Sequence, residues 1–142
     1  MRLVVARAEL RKIREHGARD YPHECCGVLF GRQEDSGKVV TETRALDNAR
    51  EDSKHNRFMI SPHDMLESEQ YARQEGLELL GFYHSHPDHP ARPSEYDRVH
   101  AWPWWSYVIV SVQKGLAADL TSWVLAEDRA QFLEEPVFEL QP

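Results

Sequence analysis

A chain of 142 residues, 41% hydrophobic and 29% charged, suits one globular domain that buries on the order of 70% of the surface its unfolded form exposes. Its 17 basic residues against 24 acidic ones leave a net charge of -7, which argues against nucleic acid or an anionic membrane as partner, since both are bound through clustered Lys and Arg. No apolar run approaches a membrane span, and the start Met1-Arg2-Leu3-Val4-Val5-Ala6 is too short and too soon charged for a secretory signal, so a cytoplasmic location is expected.

Leu10 and Ile13 recur at helical spacing, which predicts a short amphipathic helix from Arg7 to His16, stopped by Gly17 with Pro22 beyond. Cys25 and Cys26 are adjacent and are the only cysteines, so they offer neither a disulfide framework nor CxxC spacing; buried free thiols are expected. The apolar run Cys26 to Gly31 reads as a buried strand, and Lys38 to Leu46 as its hairpin partner. Asp47 to Arg57 is polar and without periodicity, hence a loop, and Phe58 to Ile60 a short extended piece. Ser61-Pro62-His63-Asp64 carries a hydroxyl cap, proline at the first helical position and a carboxylate at the third, so a helix should run to about Glu75 and end at Gly76.

Leu77 to Tyr83 is the next predicted strand, feeding His84-Ser85-His86-Pro87. Pro87, Pro90 and Pro93 stiffen the loop that follows, and Ser94 starts a helix closed at Trp102-Pro103. Tyr107 to Val112 and Leu116 to Leu125 read as strands joined by a Lys114-Gly115 turn, with an edge strand at Val137 to Leu140. Helices and strands interleave, giving the α/β or mixed α+β class with helices packed on a sheet.

The chemistry-bearing stretch is His84 to Asp97. Two histidines one residue apart share a face of an extended strand, and the Asp97 carboxylate can fold back to meet them. Three N and O ligands are a zinc set that leaves a position where water can be activated, whereas a structural zinc takes four. Taken singly, each part has a plainer reading: Ser94 and Asp97 fit a capping box, and His84 and His86 could be structural imidazoles. Glu78 shares the histidines' strand parity but lies roughly 20 Å from His84, too far to be a catalytic carboxylate.

His84-Ser85-His86-Pro87 with Ser94 and Asp97 resembles the JAMM, or MPN+, zinc metalloprotease signature, and the likeness extends to Pro22 through Leu29 and to Tyr107 through Val112. In its small size the chain is similar to the Mec+-like bacterial members. The resemblance implies one JAMM/MPN domain over residues 1–142: a mostly antiparallel curved sheet flanked by helices, cytidine-deaminase-like. It implies one catalytic zinc on His84, His86 and Asp97, Glu24 as general base and acid, and Ser94 as an oxyanion donor. It further implies hydrolysis after the C-terminal Gly-Gly of a ubiquitin-like sulfur-carrier protein, releasing cysteine or another amino acid. General deconjugation of ubiquitin-like modifiers from lysine uses the same site. A metal-free MPN scaffold would lack ligands, and none is missing; a zinc deaminase would carry a Pro-Cys-x-x-Cys pair, which is absent.

The remaining histidines, His23, His55, His63, His89 and His100, are expected at the surface, with His89 near substrate. Trp102, Trp104 and Trp105 are expected in core and loop packing or on a partner surface, and Phe82 and Tyr83 in the sheet and pocket lining. Oligomeric state is not legible in the sequence.

Overall fold

The structure is a computed structural model and describes residues 2–48 and 60–141. In chain order the elements are β1 (Arg2–Val5), α1 (Arg7–Asp20), β2 (Cys26–Glu34), β3 (Gly37–Leu46), α2 (Pro62–Glu75), β4 (Glu78–Pro87), α3 (Glu95–His100), β5 (Ser106–Gln113), β6 (Leu116–Leu125), β7 (Phe132–Glu135) and β8 (Val137–Glu139). The strands form one mixed sheet in the order β7-β6-β5-β4-β2-β3-β1-β8. β4 lies between antiparallel β2 and parallel β5, so the strand carrying both histidines is held on both edges. The sheet curls far enough for Lys38 on β3 to donate to Ser106 Oγ on β5 at 3.0 Å, although two strands separate them.

One face of the sheet packs α1 through Leu10 and Ile13 on Leu29, Tyr83, Val108 and Val110. The other packs α2 through Ala72 on Val28, Phe30 and Phe82. Burial on both faces explains the unbroken apolar run in β2. Among the described residues no helix is long and apolar enough to cross a membrane.

The β2–β3 and β5–β6 hairpins form as expected, the latter through Lys114 and Gly115 with positive φ of 51° and 86°. α2 begins at Ser61, whose hydroxyl accepts from the Asp64 N–H at 3.1 Å, and ends at left-handed Gly76. Most of the loop expected from Asp47 to Arg57 lies outside the described residues, as do Phe58, Met59 and His55.

Three expectations need correction. α1 does not stop at Gly17 but continues to Asp20, because Gly17 is a packing residue: a Cβ there would stand 3.0 Å from Val112 Cγ2. β4 runs past Tyr83 through the His84-Ser85-His86-Pro87 motif, as the strand reading of the two histidines expected. β1 and β7 were not expected; each is four residues long, and β1 is recruited by distant partners, β3 and β8. Trp102 and Trp104 are not core: they are 64% and 46% exposed, lying under the guanidinium of Arg129 and the ammonium of Lys38 respectively. Only Trp105 packs inward, against Phe82.

Candidate metal centre and active site

The two-residue period of β4 puts His84 and His86 on one face, and the β2–β4 register sets Cys26 opposite His84. Pairing continues just before β2: Ser85 N donates to the Cys25 carbonyl at 3.2 Å, and Ser85 Oγ accepts from Cys25 N at 2.9 Å. One residue further, the same register brings Glu24 across from His86. Glu24 is buried, and its carbonyl accepts from the Asn48 side chain at 3.3 Å.

Asp97 arrives from the first turn of α3. Ser94 caps that helix by accepting from Asp97 N at 3.0 Å, while Asp97 Oδ2 accepts from Ser94 N at 2.8 Å. The capping-box reading is therefore correct, and it is compatible with the ligand reading. The same Oδ2 stands 3.3 Å from His84 Nε2 and 3.2 Å from His86 Nε2, and the two nitrogens are 3.1 Å apart. Ligands about 2.0–2.2 Å from a tetrahedral ion lie roughly 3.3 Å from one another, so this triangle has the dimensions of a metal face. The protonation pattern fits too. The Pro90 carbonyl takes the Nδ1 proton of His86 at 2.9 Å, leaving the Nε2 lone pair of the neutral ring aimed at the centre. His84, His86 and Asp97 could thus hold a metal ion.

The electrostatics favour positive charge at this point. Burial opposes ionisation of Asp97, yet the two imidazoles and the Ser94 N–H outweigh it and hold the carboxyl well below the usual range. Burial likewise opposes a charge on His86, but the bond and charge of Asp97 and the Pro90 carbonyl lift its pKa. His84 is buried completely enough that desolvation wins and its pKa falls.

The loop between β4 and α3 is pinned at its carbonyls. His89 O accepts from Ser111 Oγ and Ala91 O from Thr121 Oγ1, each at 2.6 Å. Asp88, at φ 57°, accepts from Tyr21 at 2.5 Å and from Lys114 N at 2.7 Å. Two clefts flank the triangle. One of about 300 Å³ is lined by Glu24, His86, His89, Pro90, Arg92 and Ser94. The other, about 390 Å³, is lined mainly by aromatic and apolar groups, including Phe82, Tyr96, Trp102 and Trp105, with His84 and Asp97 at its edge.

Residues 6–126 match the model of a family described as prokaryotic homologs of the JAB domain. The chain belongs to this JAB-domain family. The fold and family that the motif implied are thereby established. A desampylase of Haloferax volcanii is 33% identical over 103 residues, 72% of each chain. The "probable TtuB-protein conjugate cleaving protease" of Thermus thermophilus is 36% identical over 95 residues, covering 67% of this chain and 60% of that one. A solved protein of Desulfitobacterium hafniense superposes with a TM-score of 0.86 at 27% identity, covering 99% of this chain and 94% of the other. The fold is also that of a JAB1/MPN domain protein of Archaeoglobus fulgidus, with a TM-score of 0.56, 22% identity, and coverage of 98% and 100%.

Within this JAB domain, five residues singled out from sequence, Glu24, His84, His86, Ser94 and Asp97, come to one locality. Glu78 is remote in role as well as distance, accepting from Gln33 N at 2.7 Å. His23, His63, His89 and His100 are exposed as expected, and His89 lines the Glu24 cleft. Cys25 and Cys26 are buried and free, and burial pushes the Cys25 thiol up to about 12. The reading missed Arg92 and the pair Tyr96 and His100, which stack at 4.1 Å beside the second cleft. Arg92 had one available signal: it stands between the prolines of a loop already tied to the motif.

Proposed function

We propose that this JAB domain is a zinc-dependent hydrolase that cuts the peptide or isopeptide bond after the C-terminal Gly-Gly of a ubiquitin-like protein, sulfur-carrier proteins included. The observation carrying this reading is the convergence of His84 Nε2, His86 Nε2 and Asp97 Oδ2 at 3.1–3.3 Å, with Glu24 and Ser94 in the adjoining cleft. The names of the Haloferax and Thermus relatives support deconjugation as the reaction class.

A zinc ion on His84, His86 and Asp97 would polarise the scissile carbonyl and make water acidic enough to attack near neutral pH. Glu24 accepts the proton lost by the attacking water and returns it to the departing nitrogen, the double role a buried carboxyl can perform. Ser94 uses an oxygen lone pair for the helix cap, so its O–H remains available to donate to the oxyanion. His86 is kept in the ligating tautomer by Pro90. An extended Gly-Gly tail suits a narrow approach that bulkier residues could not follow.

The test is cleavage of a ubiquitin-like protein joined through Gly-Gly either to a C-terminal amino acid or to a lysine side chain. Zinc-loaded protein should cut at least one of them, and both Glu24→Gln and chelation should stop it. Undiminished turnover in the two controls would refute the mechanism, and a metal-free, inactive protein would favour a scaffold.

A further inference from the structure

The cleft of about 300 Å³ beside His86 has a polarity of its own. The proton on Glu24 must reach the departing nitrogen, so the leaving group exits on the side that Glu24 lines; this step rests on the hydrolase reading above. Arg92 lines the same cleft. Among the described residues its guanidinium makes no hydrogen bond or ion pair. The next arginine in the chain is different: Arg98 is paired with Glu95 and donates to the Arg129 carbonyl at 2.8 Å.

Arg92 is also firmly mounted. Its N–H donates to the Pro90 carbonyl at 2.8 Å, and Pro93 follows it. On its other flank Ala91 is buried and tied through its carbonyl to Thr121. The same Pro90 carbonyl orients His86, so the backbone beneath Arg92 is held in register with the reacting centre. An exposed, unpaired guanidinium carried on a firmly held backbone, on the leaving-group side of a small cleft, matches an anion attached close to the departing nitrogen.

We propose that Arg92 binds the free α-carboxylate of a single amino acid leaving from the Gly-Gly terminus, making this site selective for one-residue leaving groups. In that reaction the hydroxyl of water bonds to the glycine acyl carbon, the C–N bond breaks, and the proton held by Glu24 moves to the leaving nitrogen. The products are a Gly-Gly carboxylate and a free amino acid. A lysine linked through its side chain departs with its α-carboxylate several bonds from the nitrogen and tied up in the peptide chain, out of Arg92's reach. An acidic residue beside that lysine would offer the same chemistry from another source, and the substrates below separate the two.

The experiment uses a ubiquitin-like protein ending in Gly-Gly-Ala, as the free acid and as the carboxamide. Two further substrates join the same protein through Gly-Gly to a lysine side chain in peptides with and without a neighbouring glutamate. Zinc-loaded wild type should cut the acid with a kcat/KM at least about tenfold above the carboxamide, the scale of one charge-assisted contact. Arg92→Gln should bring that ratio near one by slowing the acid alone, and Arg92→Lys should restore part of it. A wild-type ratio near one, or a ratio that survives Arg92→Gln, overturns the inference. So does a selective effect of Arg92→Gln on the glutamate-flanked conjugate, which would assign the cation to an acidic side chain. Cleavage of the lysine conjugates without either linear substrate overturns it while leaving deconjugation intact, and cleavage of none of the four refutes both proposals.

Discussion

The Pro90 carbonyl accepts the Nδ1 proton of His86 at 2.9 Å, and through that one bond the loop after β4 sets the direction of a ligand on β4 itself. Asp97, at the far end of the same loop, closes the triangle with Oδ2 at 3.2 Å from His86 Nε2. Strand, loop and helix cap therefore form one unit. Neither histidine alone defines the site.

Metal content should follow the triangle. Wild type purified without chelators should carry about one equivalent of zinc, and His84→Ala, His86→Ala and Asp97→Asn well below half. Metal analysis measures this directly. Added zinc should also raise the unfolding stability of wild type, by about 2.7 kcal/mol at a hundredfold excess over Kd, and leave the variants unmoved. Full zinc content in Asp97→Asn would remove Asp97 from the ligand set.

Ser94 has two roles that substitution can separate. Glycine is nearly as good an N-cap as serine whereas alanine is not, so Ser94→Gly should cost a few tenths of a kcal/mol and Ser94→Ala about 1 kcal/mol. Both lose the hydroxyl donor, so both should lower kcat by about 10²–10³. Equal activity losses with unequal melting temperatures would confirm this division. If activity instead tracks stability, Ser94 is a helix cap and nothing more.

The site was legible because its residues are close in sequence and sit on elements with strong local signals. His84 and His86 need only a strand's period, and Ser94 and Asp97 a helix start. Glu24 is not readable in that way. Its approach to His86 depends on the β2–β4 register, and it was reached through the family motif. β1 escaped notice because its pairing partners lie far along the chain, and Gly17 misled because a packing glycine and a stop glycine look alike in sequence. Arg92 and His16 went unremarked since their significance lies in what surrounds them.

Gly81, the one glycine of β4, lies where that strand meets β5, three residues before His84, and should not tolerate a side chain. It adopts φ 158°, and a Cβ would stand 2.0 Å from the Ser106 carbonyl oxygen, a backbone atom that cannot swing aside. Gly81→Ala should cost about 3 kcal/mol or more, at the large end for single substitutions, and reduce zinc retention by disturbing the strand that holds both histidines. Gly76→Ala is the control. Its φ of 68° is left-handed, but nothing lies within 4 Å of an added Cβ, so only conformational strain of about 1–2 kcal/mol is expected. Urea unfolding of the two variants should give clearly different midpoints, and similar ones would mean that the β4–β5 contact relaxes.

His16 should make stability depend on pH in a defined direction. It is buried on α1 between Tyr83, whose hydroxyl is 2.7 Å from Nδ1, and Asp20, 3.2 Å from Nε2. Desolvation lowers its pKa below 6.5, outweighing the opposing pull of Asp20. In the window just below 6.5 the unfolded chain therefore binds a proton that the native protein does not, so this contribution to stability rises with pH, is complete above 6.5, and is lost on acidification. His16→Gln keeps an amide donor and acceptor but cannot titrate. The other ionisable groups are common to both proteins and cancel in the difference. The stability gap between wild type and His16→Gln should therefore be larger at about pH 7.5 than at about pH 5. Urea denaturation at the two pH values measures it. A gap that widens on acidification would mean that Asp20 holds His16 charged in the native state.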